Sequence, residues 1–451
     1  MNFEILEKIE EIKDIIRRED IKFLDLKSMD LFGRIRHLSL PIEMFSEKLV
    51  SDGVGVDGSN YGFSSTENSD FVMVLDLDNY FIEDFKGEKR ISFFVNFKKS
   101  PDSEEFIEQD IRWICKKCQT FIKELKIGDD ILLSPEYEFY IFKDVYYKVS
   151  KEESVIKISS EEEGLLTSYH LDSIGDIFSH IRDEITLLLE KLGVKVKYHH
   201  HEVGQWGQQE IELGFLNLMK AADISLLVKY ISRLICEKYD LRVTFMPKPV
   251  SGMAGNGWHV HQFIKDGEKS LFFEEGSLLS KLGMNYVGGL IRHAKSLCAF
   301  TNPTVNSYKR LTPGYEAPVS IDFGEGNRSS LIRIPQYAKN EKECRIEYRV
   351  PDFSCNPYLA LSAMVMAGID GITKELDPFE EVEILRQKGE DKLPLTLEES
   401  LHFMEKDHEF LLKGNVFPED LIHNWITLKK RELGIINSYI SPIEFELFFD
   451  L

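Results

Sequence analysis

Charged residues recur at every second position inside otherwise apolar stretches of this chain, and few folds tolerate that pattern. Glu136-Tyr137-Glu138 sets two carboxylates in the run Pro135–Phe139. Arg345-Ile346-Glu347-Tyr348-Arg349 places a guanidinium on each side of a carboxylate, and His259-Val260-His261 repeats the spacing with imidazoles. A period of two belongs to a strand, where residues i and i+2 share a face. A fourth run, His199-His200-His201-Glu202, is followed eight residues later by Glu210. Carboxylates on one face repel each other and lower stability unless a cation lies between them. The pattern therefore calls for a sheet whose charged face surrounds cations. Oxygen donors with an imidazole suit hard divalent ions such as Mg2+ or Mn2+, not thiolate-bound Zn2+. The neighbouring arginines fit phosphate and carboxylate ligands.

The 451 residues suffice for two or three domains and a full core. A formal charge of −22 argues against nucleic acid or an anionic membrane as a general partner. The segment Met1-Asn2-Phe3-Glu4-Ile5-Leu6-Glu7 lacks the basic and apolar regions of a signal peptide, and no apolar run is long enough to span a bilayer. These features predict a soluble cytoplasmic protein. The six cysteines are scattered apart from Cys115-Lys116-Lys117-Cys118, which reads as two ordinary helical thiols.

Apolar periodicity predicts a helix over 3–19, then short strands at Ile21–Leu26, Gly33–Leu40, Phe71–Asp76 and Arg90–Phe97, with Asp52–Gly62 as a turn. From Ser103 onward, long helices at 103–126, 173–192, 216–238, 278–300, 356–374 and 396–412 alternate with strands. The strands fall at 131–142, 194–202, 207–214, 241–247, 257–264, 330–334 and 343–349. That predicts a small β domain over 1–102 and an α/β or α+β catalytic domain over 103–451. The charge-rich segment 149–164 reads as a solvated loop. The apolar tail Ser441–Leu451 either packs back on its own domain or inserts into a neighbouring subunit.

Two further loops carry chemistry. Ser251-Gly252-Met253-Ala254-Gly255-Asn256-Gly257 permits a tight backbone beside a ligand. Glu316 stands between Pro313 and Pro318, close to Arg310, as a lid or gate on a stiff loop. Together with Pro135–Phe139, His199–Glu210, Phe245–Gly257, Asn302–Pro318, Asn327–Pro335, Arg345–Arg349 and Pro351–Ile372, in that order, the chain resembles glutamine synthetases of the type I bacterial and archaeal form.

The resemblance implies a β-grasp-like N-terminal domain on an α+β catalytic domain with a curved antiparallel sheet. It implies ATP as co-substrate, two or more Mg2+ or Mn2+ ions per site, and a dodecamer of two hexameric rings locked by the tail. Glu138, Glu202 and Glu210 match the ligands of the tighter metal, and Glu136, His259 and Glu347 those of the second. Arg328 and Arg333 match arginines around the transferred phosphate; Arg310 and Arg349, with Gly255, match the glutamate site. Glu316 matches the flap glutamate, and Asp57 the aspartate that a neighbouring subunit supplies to deprotonate ammonium. Phe215, His261, Lys342 and Arg345 match nucleotide-side positions.

The departures cluster. Asn60 replaces a serine, Leu165 stands where the ammonium-pocket tyrosine is usual, and Ala254 replaces an asparagine. Lys197 stands for a glutamate and Phe263 for a serine on the nucleotide side. No tyrosine lies between Tyr358 and Tyr439, so the adenylylation site is missing, and the loop Asn60–Ser69 lacks the arginine linked to glutamine feedback. Three readings follow: glutamate with ammonia and ATP giving glutamine, ADP and phosphate; a γ-glutamylamide synthetase using a primary amine or polyamine; and a catalytically silent regulatory relative. Intact His199–Glu202 and Asp57 favour ammonia, while Leu165, Asn60 and Ala254 favour a larger amine.

Overall fold

The computed structural model describes residues 3–64, 66–84, 87–162 and 168–450. Leu165, on which the amine-pocket expectation rests, lies outside them. The chain forms two compact units, Met1–Lys117 and Cys118–Leu451.

In the first unit, the helix Phe3–Arg18 buries Ile9 and Ile12. It carries Glu4 in its first turn and Arg17 and Arg18 in its last, which complements the helix dipole. The strands are β1 (Phe23–Met29), β2 (Ile35–Pro41), β3 (Val54–Asp57), β4 (Asp70–Glu83) and β5 (Arg90–Lys98). They form one sheet in the order β2-β1-β5-β4-β3, with β1 and β5 parallel. The expected turn at 52–62 contains β3, because Val54–Asp57 pairs with Asp70–Met73 along the edge of β4. Asp57 ends that strand and caps the short helical turn Gly58–Tyr61.

The second unit holds β6 (Asp130–Phe142), β7 (Asp144–Val149), β8 (Ser154–Ser159), β9 (Val196–His201), β10 (Gln208–Leu213), β11 (Leu216–Asn217) and β12 (Arg242–Thr244). It continues with β13 (Trp258–Asp266), β14 (Lys269–Ser270), β15 (Phe323–Glu325), β16 (Ile332–Ile334) and β17 (Ile346–Tyr348). Ten of these strands make one sheet whose main path runs β15-β16-β17-β13-β6-β10-β9, antiparallel except for β15 with β16. β6 is its spine, pairing with β10, β11, β12 and β13. The mixed content and curved sheet are as the resemblance implied.

Behind the sheet, the helix Pro357–Thr373 is buried nearly all round. Asn356 caps it, accepting from the backbone N–H groups of Tyr358 and Leu359. It crosses the helix Lys281–Arg292 at Gly289 and Gly371, where a Cβ on either would strike the other helix's backbone. The expected single helix 278–300 breaks at His293, which turns its ring between Asp370 (Nε2–Oδ2 3.0 Å) and Asp407 (Nδ1–Oδ2 2.8 Å). The same contact interrupts the expected helix 396–412 at Asp407, leaving Leu397–Lys406 and Glu409–Leu412. Segment 149–164 is no simple loop. β7 and β8 form a hairpin in which Val145 and Tyr147 pair with Ile158 and Ile156, an alternating apolar signal masked by its charges. Two helices, Pro378–Lys388 and Glu419–Asn437, were not expected, although Leu421, Ile422, Trp425 and Ile426 carry the helical period of the second. The tail forms the helix Pro442–Phe448 and leaves Ile443, Phe445, Leu447, Phe448 and Phe449 exposed.

Candidate active site

Strand register builds the site. His200, Glu210 and Glu138 lie directly opposite one another across β9, β10 and β6. Glu212, Glu136 and His259 do the same across β10, β6 and β13, as do His261, Glu347 and Arg333 across β13, β17 and β16. Paired residues in an antiparallel ladder share a face, and members of the three rows differ by two along each strand. Nine polar side chains therefore crowd one face. The intervening Tyr137, Ile211, Val260, Ile346 and Tyr348 are fully buried on the other face.

Glu136 accepts from His259 Nδ1 at 3.1 Å and from His261 Nε2 at 2.8 Å. Glu138 Oε2 accepts from the Gly257 backbone N–H at 2.7 Å and from Gln208 Nε2 at 3.3 Å. Glu347, with no exposed surface, accepts from Arg349 at 2.6 Å and pairs with Arg333. His200 Nε2 lies 3.2 Å from Glu210 Oε1.

The electrostatics divide the site in two. Burial pushes Glu136 up, but His259 and His261 outweigh it and hold the carboxyl well below its ordinary range. Burial and Glu136 also push Glu347 up, and His261, Arg349 and His259 bring it below its usual value. At the other end cations are scarce. Burial, then the charges of Glu138 and Glu210, push Glu202 up to about 9. Burial, then Glu136 and Glu138, push Glu210 up strongly. A group of carboxylates raised this way is a site short of positive charge.

Three donor groups have their ligand atoms within 4.8 Å of one another: Glu136, His259 and Glu347; His200, Glu202 and Glu210; and Glu136, Glu212 and His261. Among the described residues, Glu212 Oε2 and His261 Nδ1 are buried without hydrogen-bond partners. This oxygen-rich set fits divalent cations. The sequence reading missed His200 and Glu212. The signal for Glu212 was present, since it follows Glu210 by two residues in the same strand. Lys197 Nζ sits 2.6 Å from Glu212 Oε1 and supplies a fixed positive charge to the third group.

These groups open on a cleft of about 810 Å3 lined by Arg328, Arg333, Arg310, Arg349, Gly255 and Glu316. The glycine loop is constrained by that crowding. A Cβ on Gly255 would lie 2.6 Å from the Pro247 carbonyl oxygen, and one on Gly257 would lie 2.6 Å from His259 Nε2 and 2.7 Å from the Arg310 guanidinium. Arg310 is buried and donates to the carbonyls of Val350 (2.7 Å), Pro351 (3.1 Å) and Arg349 (3.1 Å). Glu316 has φ +56°, a left-handed conformation unfavourable for a glutamate, on a loop braced by the Lys248 ammonium over the Tyr315 ring at 3.6 Å.

Other expected residues lie elsewhere. His261 and Glu347 sit beneath the cleft floor, against Glu136. Arg345 stacks on Phe215 and Tyr337, each 5.4 Å from its guanidinium carbon, and Phe263 packs against Phe215 at 5.0 Å. Lys342 is an exposed loop residue. Asp57 belongs to the first unit, where bonds from the Ser59 hydroxyl and backbone, and from Asn60 Nδ2 at 2.7 Å, hold its carboxyl below the usual value. Tyr169, which the sequence reading passed over, lines the cleft and stacks on His170 at 4.1 Å, next to His200.

A face of buried carboxylates and imidazoles beside convergent arginines, on a curved antiparallel sheet, defines a cation-dependent enzyme that binds anions. Residues 20–99 match the family described as glutamine synthetase, beta-Grasp domain, and residues 108–448 match glutamine synthetase, catalytic domain. The glutamine synthetase of Frankia alni is 39% identical over 98% of this chain and 99% of its own length. A Cupriavidus pinatubonensis protein named 3-hydroxylaminophenol mutase is 35% identical over 99% of this chain and 100% of its own. The cryo-EM structure of Plasmodium falciparum glutamine synthetase superposes with a TM-score of 0.89 at 26% identity, covering 98% of both chains. The chain belongs to the glutamine synthetase family and is a ligase of that type. The family uses ATP and divalent metal ions. No described helix is long and apolar enough to cross a membrane.

Proposed function

We propose that this cytoplasmic enzyme joins ammonia to glutamate, with ATP, to give glutamine, ADP and phosphate. The observation that carries the reading is the union, in one cleft, of the carboxylate–imidazole face with Arg328, Arg333, Arg310 and Arg349. A carboxylate is a poor acceptor because its oxygen leaves badly. Transfer of the γ-phosphoryl group of ATP makes γ-glutamyl phosphate, whose phosphate leaves readily. Bound Mg2+ or Mn2+, two or more per site, supplies charge neutralisation for the nucleotide phosphates. Glu138, Glu202 and Glu210 hold one ion, and Glu136, His259 and Glu347 the other. Arg333 and Arg328 spread their positive charge over the moving phosphoryl group. Arg310 and Arg349, with Gly255, orient glutamate. Phe215, His261, Lys342 and Arg345 form the nucleotide side. Glu316 closes over the acyl phosphate, excludes water and accepts a proton from the tetrahedral adduct.

Ammonium must lose a proton to attack. Asp57, from the N-terminal domain (1–102) of a neighbouring subunit, takes that role opposite the catalytic domain (103–451). Its carboxyl, held below the usual value, is anionic near neutrality, so it binds the ammonium cation and takes one proton from it, releasing the neutral ammonia that attacks. The assembly is a dodecamer of two hexameric rings.

A primary amine or polyamine is the second acceptor reading. Its support is Ala254, a small side chain on the cleft wall, together with Leu165 and Asn60 in the sequence. Phosphate release with ATP, Mg2+ and glutamate, comparing ammonium with an amine panel, separates the two. Saturation by ammonium supports the first reading and preference for an amine the second. Silence with every acceptor, tested beside ATP-free turnover of a hydroxylaminophenol, overturns both.

A further inference from the structure

Well apart in sequence from the catalytic strands, His408, Glu419 and His423 bring one ligand atom each to within 4.8 Å of one another. Glu419 and His423 lie four residues apart on the helix Glu419–Asn437, so they share a face one turn apart. His408 comes from the joint between the helices Leu397–Lys406 and Glu409–Leu412. Its ring and that of His423 are 6.0 Å apart, edge to face.

One imidazole is oriented by a hydrogen bond, and the other is carried on an anchored helix. His408 Nδ1 donates to the Met404 carbonyl at 2.8 Å, which leaves Nε2 with its lone pair directed away from that carbonyl. A backbone carbonyl on one ring nitrogen is the usual outer partner of a metal-ligating histidine, fixing tautomer and orientation. The joint itself is anchored on both sides, by Asp407 against His293 and by buried Phe410 and Leu411. On the other helix, buried Leu421, Ile422 and Trp425 flank His423, and Trp425 Nε1 donates to the Ala299 carbonyl at 3.0 Å. Among the described residues, neither the Glu419 carboxylate nor the His423 ring has a hydrogen-bond partner.

We propose that His408, Glu419 and His423 form a second cation site for a borderline divalent ion of the Zn2+ class, distinct from the catalytic ions. Two imidazoles and one carboxylate are the donor set of zinc sites with three protein ligands and a water in the fourth position. Mg2+, which demands oxygen ligands in octahedral array, is a poor match. Glu419 and His423 are exposed and His408 is half-buried, so an ion can enter from solvent. Bound there, the ion ties the 404–409 joint to the first turn of the helix that leads into the apolar tail, and so stabilises the packing of these helices.

Equilibrium dialysis of the whole protein against Zn2+, in a large excess of Mg2+ to fill the catalytic groups, tests this. We expect the wild type to bind about one Zn2+ per chain more than the H408Q/H423Q double variant, with affinity at that extra site lowered roughly tenfold or more in H408Q and H423Q and the extra binding retained in E138Q. Zn2+ should also raise the Tm of the wild type and leave that of the H408Q/H423Q double variant unmoved. If either variant misfolds, E419Q, an isosteric surface change, carries the same expectation. Zn2+ stoichiometry and Tm response unchanged in the folded histidine variants and in E419Q would overturn the proposal, as would Zn2+ binding abolished by E138Q alone.

Discussion

Glu138 and Lys197 both line the cleft, and each makes a testable claim. Glu138 is held in place by the Gly257 N–H and Gln208. Removing its charge in Glu138→Gln should lower glutamate-dependent ADP formation by roughly 100-fold or more, with folding intact by circular dichroism. Wild-type turnover in that variant would sink the assignment. Lys197 neutralises Glu212 in the third donor group at 2.6 Å. Lys197→Met frees that carboxylate, so Mn2+ titration should gain about one ion per chain; an unchanged stoichiometry would show that the lysine does not stand in for a cation. Glu316 sits at φ +56° on the cleft rim. Glu316→Ala should leave ATP consumption in place while raising the ADP-to-product ratio, read by assaying both products in one reaction. A constant ratio would remove its gating role.

At the scale of elements, buried charge on a helix sets a pH dependence. Lys229, on the helix Leu218–Lys238, is buried over the Phe353 ring at 4.1 Å, and its best acceptor is the Cys355 carbonyl at 3.4 Å. Burial pushes it down from 10.5 to about 8. A folded-state value below the unfolded one means that the folded chain gives up the proton more readily. The penalty, on the order of 3 kcal/mol, is full below pH 8 and fades as pH rises toward 10.5. Stability should therefore climb between pH 8 and 10.5, and Lys229→Met should raise Tm at neutral pH and flatten that climb. A lower Tm in Lys229→Met would mean that the ammonium is better paired than its contacts indicate. His293 works in the opposite sense. Burial lowers it, but Asp370 and Asp407 outweigh burial and raise it, so its contribution is complete at low pH and is lost as pH rises past its folded value.

The strands that carry chemistry were legible in the sequence because their charges alternate with apolar residues. A period of two was enough to put Glu136 with Glu138, and His259 with His261, on one face of their strands. Less legible was what depends on register between strands. His200 entered the site because β9 pairs with β10 opposite Glu210, and no local pattern states that pairing. The break at His293 was hidden for a similar reason: its cause is a pair of aspartates 77 and 114 residues away. The β7–β8 hairpin was lost to its charges, which mask the apolar alternation of a two-stranded ribbon largely exposed on both faces.

For the molecule as a whole, the tail poses the largest unresolved burial. Ile443, Phe445, Leu447, Phe448 and Phe449 are each more than half exposed in the single chain. Apolar side chains exposed around a short helix mark an interaction surface, and the proposed rings offer it a neighbour. Deleting residues 441–451 should lower the solution mass of the assembly, measured by light scattering, to that of a single ring or less. An unchanged mass would mean that the rings are joined by other surfaces.

The cross-strand rows also set a rule for change in chain length. A strand's side chains alternate between faces, so one residue lost from β6, β10 or β13 would turn its carboxylates or imidazoles into the packed layer and bring Tyr137, Ile211 or Val260 out among the charges. No single substitution elsewhere could repair that inversion. Insertions and deletions can therefore be absorbed only in the segments between these strands, and a family built this way must vary by composition within the sheet and by length outside it.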